Sequence, residues 1–443
     1  MLSLARKIDK LKIGKLKIGK STYLYCSMKS RQDPYAALRY ADFRYFLGTQ
    51  FSYTVAVLIQ EVVLGYYLYD VTGDPLTLGL IGLFEAIPYL VLALFGGHVA
   101  DLFDKRKIAR VCISGMIVIS LLLMYGLHQL KGQADVQYVI YGAVFCIGVA
   151  RGFMGPAWSS IKAFLVDQKH YSNAASWASQ FWQGGMITGP AVAGFLYAWL
   201  GLENTLWVVI GLFVISFLST TRISTPSKAV ATQTGNIWQR LAEGYRFVTG
   251  SKILIYAIAL DMFSVLFGGV VAILPVYAKD ILLVGPEGLG ILRAAPGVGA
   301  VLTMFGTAYY PPTRHAWRNM LMAVFGFGLA TLVFAISTHF YLSVFALFLT
   351  GAFDSISVVV RQTILQILPP DEMRGRVNAI NGIFVSCSNE LGAFESGVAA
   401  RLLGTVPSVL FGASMTLVCI SIIYYKTRDL LGVNLMEQQS GKS

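Results

Sequence analysis

Long apolar runs separated by short polar gaps dominate this chain. From residue 43 onward, about twelve runs reach the length of about 20 residues with which an α-helix crosses a bilayer. They cover residues 43–69, 76–100, 108–127, 136–166, 171–200, 205–221, 253–278, 288–310, 320–336, 341–360, 377–403 and 408–425. The pattern predicts an all-α membrane protein with about twelve transmembrane helices.

The gaps between these runs alternate in charge. Gaps rich in Lys and Arg lie around 101–110, 222–252, 311–318 and 361–376, and both tails are basic. Acidic or neutral gaps lie around 70–74, 201–204 and 279–287. Because positively charged loops stay in the cytoplasm, an even number of helices between two basic tails predicts that both termini are cytoplasmic.

The longest gap divides the predicted helices six and six. Within it, Ile237, Leu241, Tyr245 and Val248 recur at helical spacing beside charged residues, which predicts an amphipathic helix on the inner membrane surface. The predicted order is a basic tail, a six-helix bundle, a linker, a second six-helix bundle and a C-terminal tail. Their ranges are 1–40, 41–222, 223–252, 253–426 and 427–443.

Three glycines in and directly after the fifth predicted helix recur with identical spacing in and directly after the eleventh. The corresponding pairs are Gly189 and Gly392, Gly194 and Gly397, and Gly201 and Gly404. The repeat coincides with the two halves that the charged gaps define. It therefore predicts two pseudo-symmetric bundles, an architecture in which a binding site forms between the halves near the bilayer midplane.

Composition supports the membrane assignment and excludes other classes. The 443 residues are 56% hydrophobic and 13% charged, with a mean hydropathy of +0.63, whereas soluble domains average about 25% charged residues. The net charge of +12 sits in gaps and tails instead of forming a continuous soluble surface, so no nucleic-acid partner is expected. The five scattered cysteines predict neither disulfides nor a metal site.

The first 30 residues are basic and contain the direct repeat LKIGK-LKIGK over 11–20. Residues Gly14 to Ser21 also match the phosphate-loop pattern G-x-x-x-x-G-K-S. That loop requires a buried strand before it and a helix after it, and the sequence offers neither. We interpret the segment as a disordered basic tail close to the membrane.

The sequence carries no motif of an enzyme, and neither a cofactor nor a metal is expected. The residues that stand out are polar or ionisable groups within the predicted spans, because burying each charge costs at least about 2.5–3.5 kcal/mol unless it has a partner or faces water. Carboxylates at this depth can exchange protons near neutral pH, as a proton-coupled carrier requires. The candidates for proton coupling or the substrate cavity are Glu61, Glu85, Arg151, Asp261, Arg293, Asp354, Asn381, Glu390 and Glu395.

A structural role for these charges is the alternative. Asp354 and Arg361 lie two turns apart on one helix face and could pair simply to hold helices together. Arg361, near the cytoplasmic end, fits this role best. We favour function for the deeper carboxylates, which are Glu61, Glu85, Asp261 and Glu390.

The gap after the second run carries a recognisable motif. Gly97, Asp101, Lys105 and Arg106 resemble the signature between helices 2 and 3 of the major facilitator superfamily, although Leu102 and Asp104 replace a basic residue and a glycine. In that family this loop is a conformational latch, which contacts the other half near helix 11 when the inner side is closed.

Three further segments extend the resemblance. Gly185, Gly189, Pro190 and Gly194 are similar to the helix-kink motif in helix 5 of drug/proton antiporters, with Ala193 where a glycine is usual. Arg151 occupies the place of the helix 4 arginine implicated in proton coupling. Residues 38–44 and 371–377 resemble the subfamily of macrolide effluxers and the enterobactin exporter.

The resemblance implies the major facilitator fold and a secondary active transporter of the bacterial inner membrane. The expected function is proton-coupled export, by alternating access, of a siderophore or an amphiphilic drug-like molecule, with protons and membrane lipid as further partners and a monomeric state. Two alternatives remain open. One is a lipid or lysolipid flippase, and the other is a membrane sensor or scaffold that transports nothing.

Overall fold

The computed structural model describes residues 11–18, 21–28, 33–130, 133, 135–226, 237–310, 312 and 315–432. The first half begins with four long helices. These are α1 (Ala41–Thr72), α2 (Pro75–Leu102), α3 (Lys105–Gln129) and α4 (Val136–Leu165). Asp74 and Asp104 cap α2 and α3 by accepting hydrogen bonds from backbone N–H groups in their first turns, so the short polar gaps start new helices at once.

A helical stretch over Tyr171–Thr221 completes the first half. It is broken at Gly201, whose φ of 75° and ψ of 177° a residue with a side chain rarely adopts. The break defines α5 (171–200) and α6 (202–221). The sequence predicted two spans here, and Gly201 turns the chain between them.

The linker contains α7 (Ile237–Gly250), and the second half repeats the plan of the first. Its long helices are α8 (Lys252–Gly268), α9 (Gly285–Tyr309), α10 (Ala316–Ile336), α11 (Phe340–Ile367), α12 (Asp371–Leu403) and α13 (Thr405–Lys426). After α8 the chain continues through short 3₁₀, α and π segments that end at Ile281. Two glycines and Pro275 explain the irregularity, since both residue types weaken a helix.

Within the described residues, ten stretches are long and apolar enough to span a membrane. One of the ten contains both α5 and α6, so the ten stretches comprise eleven spans. The more polar helix α12 is not among them. Since α12 packs against α2, α8 and α13 along its length, it belongs to the bundle and completes the twelve spans. The predicted all-α architecture is confirmed, apart from a small hairpin.

The hairpin lies in the tail that was expected to be disordered, and that expectation is wrong for residues 11–18 and 21–28. There β1 (Leu11–Ile18) and β2 (Ser21–Met28) pair antiparallel, with Ile18 opposite Ser21. Tyr, Thr, Leu and Ile give these segments strand propensity. Because Ser21 begins a strand and no helix, the phosphate-loop pattern lacks its required context.

The linker helix α7 forms where it was predicted but presents a different face. Val248 is fully buried, whereas Tyr245, expected on the same apolar face, is 53% exposed. The contact centres instead on Gly244, where an added Cβ would lie 3.0 Å from the carbonyl oxygen of Arg376 on α12. The close approach of the two backbones sets the rotation of α7, and Glu243 pairs with Arg376 at 2.7 Å beside it.

The glycine repeat has a structural counterpart in each pair. An added Cβ at Gly189 would lie 2.7 Å from Leu58 on α1, and one at Gly392 would lie 2.9 Å from the Val265 carbonyl oxygen on α8. Each glycine thus brings its helix against the first helix of its own half. The last pair also matches, because Gly404 at the turn from α12 to α13 has a positive φ of 92°, and Gly201 at the turn from α5 to α6 has one of 75°.

The middle pair forms the contacts between the halves. Gly194 on α5 crosses Gly290 on α9, where an added Cβ on Gly290 would lie 2.9 Å from the Ala191 carbonyl oxygen. Gly397 on α12 crosses Gly79 on α2 with a corresponding distance of 2.9 Å to the Gly79 Cα. Such small residues let membrane helices approach closely. Two pseudo-symmetric crossings therefore join the bundles.

Both crossings lie at the same end of the molecule. We call the end with the start of α1 and the end of α13 the tail face, and the end with the Gly201 and Gly404 turns the distal face. Near the distal face, one side of α12 packs against α2. Closer to the tail face, the same side of this helix is exposed, at Ala379, Gly382 and Ile383. The halves therefore diverge there, and the cavity between them opens to the tail face.

The crossings predict a conformational phenotype for Gly194→Leu. A leucine side chain cannot fit between α5 and α9, so the variant should populate states in which the distal face is open. In a variant lacking the native cysteines, a cysteine placed at Ala393, between α2 and α12, should react faster with a maleimide by about tenfold or more, the change expected for a shift of about 1.4 kcal/mol between two states. Gly115→Leu is the matched control, because nothing lies within 4 Å of an added Cβ at Gly115. Equal labelling rates in the two variants would contradict the assignment.

Candidate functional site

One ion pair of the predicted set joins the two halves. Arg293 on α9 donates a hydrogen bond from Nη1 to the Glu61 Oε1 atom on α1 at 2.8 Å. The Arg293 side chain is 7% exposed and that of Glu61 is 36% exposed, so the pair sits at the edge of the cavity. Both residues were predicted from their position within spans. Their pairing across the halves was not predicted.

A second pair lies within the first half and faces the other. Arg151 on α4 donates a hydrogen bond to Glu85 on α2, and its guanidinium lies 5.7 Å from the centre of the Tyr89 ring. Gly148 and Gly152 allow this pairing, because an added Cβ at either would crowd α2. The pair is thus held where α2 and α4 are closest.

Glu390 on α12 brings a carboxylate from the second half to the same place. An added Cβ on Gly82 would lie 3.4 Å from the Glu390 Oε2 atom, so this carboxylate points at α2 one turn from Glu85. Glu61, Glu85, Arg151, Arg293 and Glu390 therefore form one group, which we call the central charge cluster. It contains residues of both halves and lies between the distal crossings and the open tail side.

A separate charge cluster lies inside the second half. Arg361 on α11 pairs with Asp261 on α8, and both side chains are 4% exposed. The alternative pairing of Asp354 with Arg361 does not occur in this structure, since α8 brings Asp261 to the guanidinium. Asp354 lies two turns from Arg361 on α11 and is partly buried. The structure therefore separates Asp261 and Asp354 from the central charge cluster.

Asn381 and Glu395 on α12 also lie outside the central charge cluster. Asn381 is 6% exposed, and its buried Oδ1 atom has no hydrogen-bond partner among the described residues. Glu395 is partly buried and lies two residues beyond Ala393, which touches α2. Neither residue forms an ion pair with another candidate in the described part of the chain.

The latch motif is anchored in its own half in this conformation. Arg106 pairs with Asp104 and donates hydrogen bonds to the carbonyl oxygens of Ile223 and Ser224 at 3.2 and 2.6 Å. Lys105 is 2% exposed, with its ammonium 5.0 Å from the Phe164 ring centre. This basic group fixes α3 to the end of α6.

The acidic side of the motif is exposed instead. Asp101 is exposed, and nothing lies within 4 Å of an added Cβ on Gly97. Because the tail face is open, the second half is not in reach of this surface. A latch contact with the second half therefore belongs to a different conformation and stays a prediction.

The glycines of the helix-kink motif contact two different helices. Added Cβ atoms on Gly185 and Gly189 would lie 2.9 Å from Thr54 and 2.7 Å from Leu58, both on α1. Gly194 instead forms the crossing with α9. Pro190 lies between these contacts inside the helix, where its ring removes a backbone donor. The motif thus connects α1, which carries Glu61, to α9, which carries Arg293.

The sequence interpretation missed a set of charged contacts across the distal face. Lys279 pairs with Asp70 at 2.5 Å, Arg401 pairs with Asp74 at 3.2 Å, and Tyr69 donates a hydrogen bond to Asp280. We call these three contacts the distal clamp. In the sequence the charged residues of the gaps 70–74 and 279–287 look like ordinary loop charges, and Arg401 lies at the end of a predicted span, so no local pattern indicated these contacts.

Comparisons with known proteins agree with this architecture. A family model described as transmembrane secretion effector matches residues 32–440. The chain belongs to the major facilitator superfamily. It is therefore a multi-pass membrane transporter and not an enzyme.

Among the relatives of this family member are named efflux proteins. The multidrug efflux pump Tap of Mycolicibacterium fortuitum is 25% identical over 75% of this chain and 82% of its own length. The macrolide efflux protein A of Streptococcus pyogenes is 22% identical over 85% of this chain and 93% of its own length. A staphyloferrin A transporter of Staphylococcus aureus is 23% identical over 35% of this chain and 38% of its own length.

Solved structures support the major facilitator fold. The nucleoside transporter NupG has a TM-score of 0.67 at 13% identity, covering 87% of this chain and 98% of the other. A bacterial homologue of the human lysosomal transporter Spinster, in an inward-facing and unoccupied conformation, has a TM-score of 0.69 at 14% identity, covering 88% and 98%. At these identities the likeness concerns the fold alone.

The buried pair in the second half predicts a stability phenotype. Arg361→Gln should lower the free energy of unfolding by about 3–5 kcal/mol, because it leaves the Asp261 carboxylate buried without its cation. The double variant Asp261→Asn with Arg361→Gln removes both charges and should be less destabilised. Chemical denaturation in detergent micelles measures the difference.

The control for this prediction is an exposed pair. The Lys252 ammonium donates hydrogen bonds to Asp429 and thereby lowers the pKa of that carboxyl. Since both side chains face solvent, Lys252→Gln should leave the stability essentially unchanged. If the double variant Asp261→Asn with Arg361→Gln is as unstable as Arg361→Gln alone, the proposed cost of leaving the Asp261 carboxylate unpaired is wrong.

Proposed function

We propose that the protein is a proton-driven exporter of amphiphilic small molecules, with Glu61 as the carboxylate for which proton and substrate compete. The observation that supports this most directly is the Glu61–Arg293 pair. It links the halves at the edge of the cavity, and one partner is a group that can be neutralised by a proton. A coupling residue must respond to protonation and must bias the arrangement of the halves, and this pair meets both requirements.

Orientation follows from the charges of the gaps. The tail face carries the basic gaps, so the positive-inside rule places it in the cytoplasm. The cavity then opens to the cytoplasm, where an exporter loads its substrate. The named functions of the Tap, macrolide and staphyloferrin A relatives support a drug-like or siderophore substrate.

The geometry supports a specific coupling cycle. With Glu61 ionised and no substrate present, its pairing with Arg293 holds the distal face closed and keeps the empty carrier from changing conformation. Substrate that enters the cavity and binds Glu61 displaces Arg293, which allows the distal face to open. After release outside, a proton neutralises Glu61 and permits the return. The cycle exchanges substrate for protons because the same carboxylate serves both.

Glu61→Gln should therefore uncouple transport. In liposomes with an internal pH dye, ethidium, erythromycin and staphyloferrin A serve as probes. A probe that drives proton flux through wild type should still move down its own gradient through Glu61→Gln, but proton flux should fall about tenfold or more, as expected when a proton-transfer group is removed. Glu372→Gln, an exposed position on α12, is the matched control and should behave as wild type.

Two results would count against the proposal. Proton flux that persists in Glu61→Gln would exclude this carboxylate as the coupling residue. Absence of proton flux with every probe in folded wild type would exclude proton-coupled export of these classes. Transfer of a fluorescent lysolipid between leaflets under the same conditions would then favour the flippase function.

A further inference from the structure

A small, partly enclosed cavity lies beside the central charge cluster, within the first half. Its volume of about 20 Å³ is enough for one water molecule, which requires about 10–15 Å³. Residues of α1, α2, α3 and α4 line it. Among its lining residues, the polar ones are Gln60, Glu61 and Glu85, and the rest are apolar.

Gln60 is the residue that points to an occupant. It is 1% exposed, and its Oε1 atom accepts a hydrogen bond from the Ser120 hydroxyl at 3.2 Å. Its Nε2 atom is buried and has no partner among the described residues. An unpaired buried amide donor costs about 1–3 kcal/mol, so a polar molecule in the cavity would remove a substantial penalty.

We infer that this cavity holds one water molecule, and that the water relays a proton between Glu61 and Glu85. The inference rests on the proposed function and extends it to the path of the proton. With Glu61 protonated, the water would accept hydrogen bonds from the Gln60 amide and from the Glu61 carboxyl, and it would donate one to the Glu85 carboxylate. That provides three polar partners, within the range that buried waters require. Gln60 is then a positioning residue, oriented in turn by Ser120.

The transfer balances without a further reactant. The protonated Glu61 carboxyl passes its proton to the water oxygen, and the water passes one of its own protons to the Glu85 carboxylate. Glu61 becomes ionised, Glu85 becomes neutral, and the water is regenerated. The charged or titratable groups around the two carboxylates include Arg293 on α9, Arg151 on α4, Glu390 on α12 and Tyr53 on α1.

The relay explains why two carboxylates stand beside one cavity. Glu61 is the more exposed of the two, with 36% of its side chain accessible against 12% for Glu85. A proton taken up by Glu61 would pass to Glu85 when Arg293 approaches, because the guanidinium favours the ionised form of Glu61. Glu61 and Arg293 then re-form their pair across the halves. The proton would leave Glu85 on the Arg151 side, where the guanidinium borders the open cavity.

Two variants test the water from opposite walls of the cavity. Gln60→Leu keeps the size of the side chain but removes the amide. Val144→Leu adds a methylene from α4 and fills the space without touching Gln60. Val63→Ile is the matched control. Val63 lies on α1 and is as deeply buried as Gln60, but it does not line the cavity.

The readout separates proton transfer from folding and binding. With ethidium as the probe, we expect Gln60→Leu and Val144→Leu to lower transport driven by a pH gradient about tenfold or more, as for loss of a positioned proton-transfer path. The ethidium Kd and the exchange of internal for external ethidium, which requires no net proton transfer, should stay unchanged. Val63→Ile should match wild type in all three measurements.

The outcomes distinguish the relay from the proposed function. Wild-type coupling that survives in both cavity variants would overturn the relay and leave proton-driven export intact. Loss of ethidium binding or exchange together with coupling would also overturn it, because the cavity would then serve packing only. A folded wild type in which none of ethidium, erythromycin and staphyloferrin A drives proton flux would overturn both proposals.

Discussion

The pairing of charges inside an apolar bundle is the constraint on which the rest of this structure depends. A charge buried in a membrane requires a partner, and here Arg151, Arg293 and Arg361 each pair with a carboxylate. Two of these pairs each lie within a single half, Arg151 with Glu85 in the first and Arg361 with Asp261 in the second. The third pair joins the halves, so its free energy depends on their arrangement, and in the proposed cycle a proton or a substrate that competes for Glu61 changes that arrangement.

The glycines make the pairing geometry possible. Gly148 and Gly152 bring α4 against α2, so that Arg151 can reach Glu85, and the Gly194 crossing brings α5 against α9, which carries Arg293. The distal clamp adds contacts at the same end, where the halves meet. The close helix crossings at glycines and the ion pair at the edge of the cavity therefore act together. The close helix crossings permit the closed distal face, and in the proposed cycle the Glu61–Arg293 pair makes the stability of that state depend on protonation.

Much of this architecture was predictable from the chain, and the reasons are physical. Twelve spans follow from the length of apolar runs, and the two halves follow from the charged gaps and the glycine spacing. The predictions that the structure corrects concern surfaces that no membrane constrains. The basic tail forms a hairpin from residues 11–18 and 21–28, and α7 turns its Gly244 side towards α12, because local strand propensity and one close backbone contact decide these segments.

The sequence by itself determined which side chains are costly in a bilayer, since that cost depends only on their type and depth. It therefore identified Glu61, Glu85, Arg151 and Arg293 without a structure. Only the tertiary structure decided their partners, because residues up to 232 positions apart in the chain form these pairs. It also placed Asp261 in a separate cluster and created the cavity beside Gln60. A pairing across helices depends on how the helices pack and rotate, which no local pattern specifies.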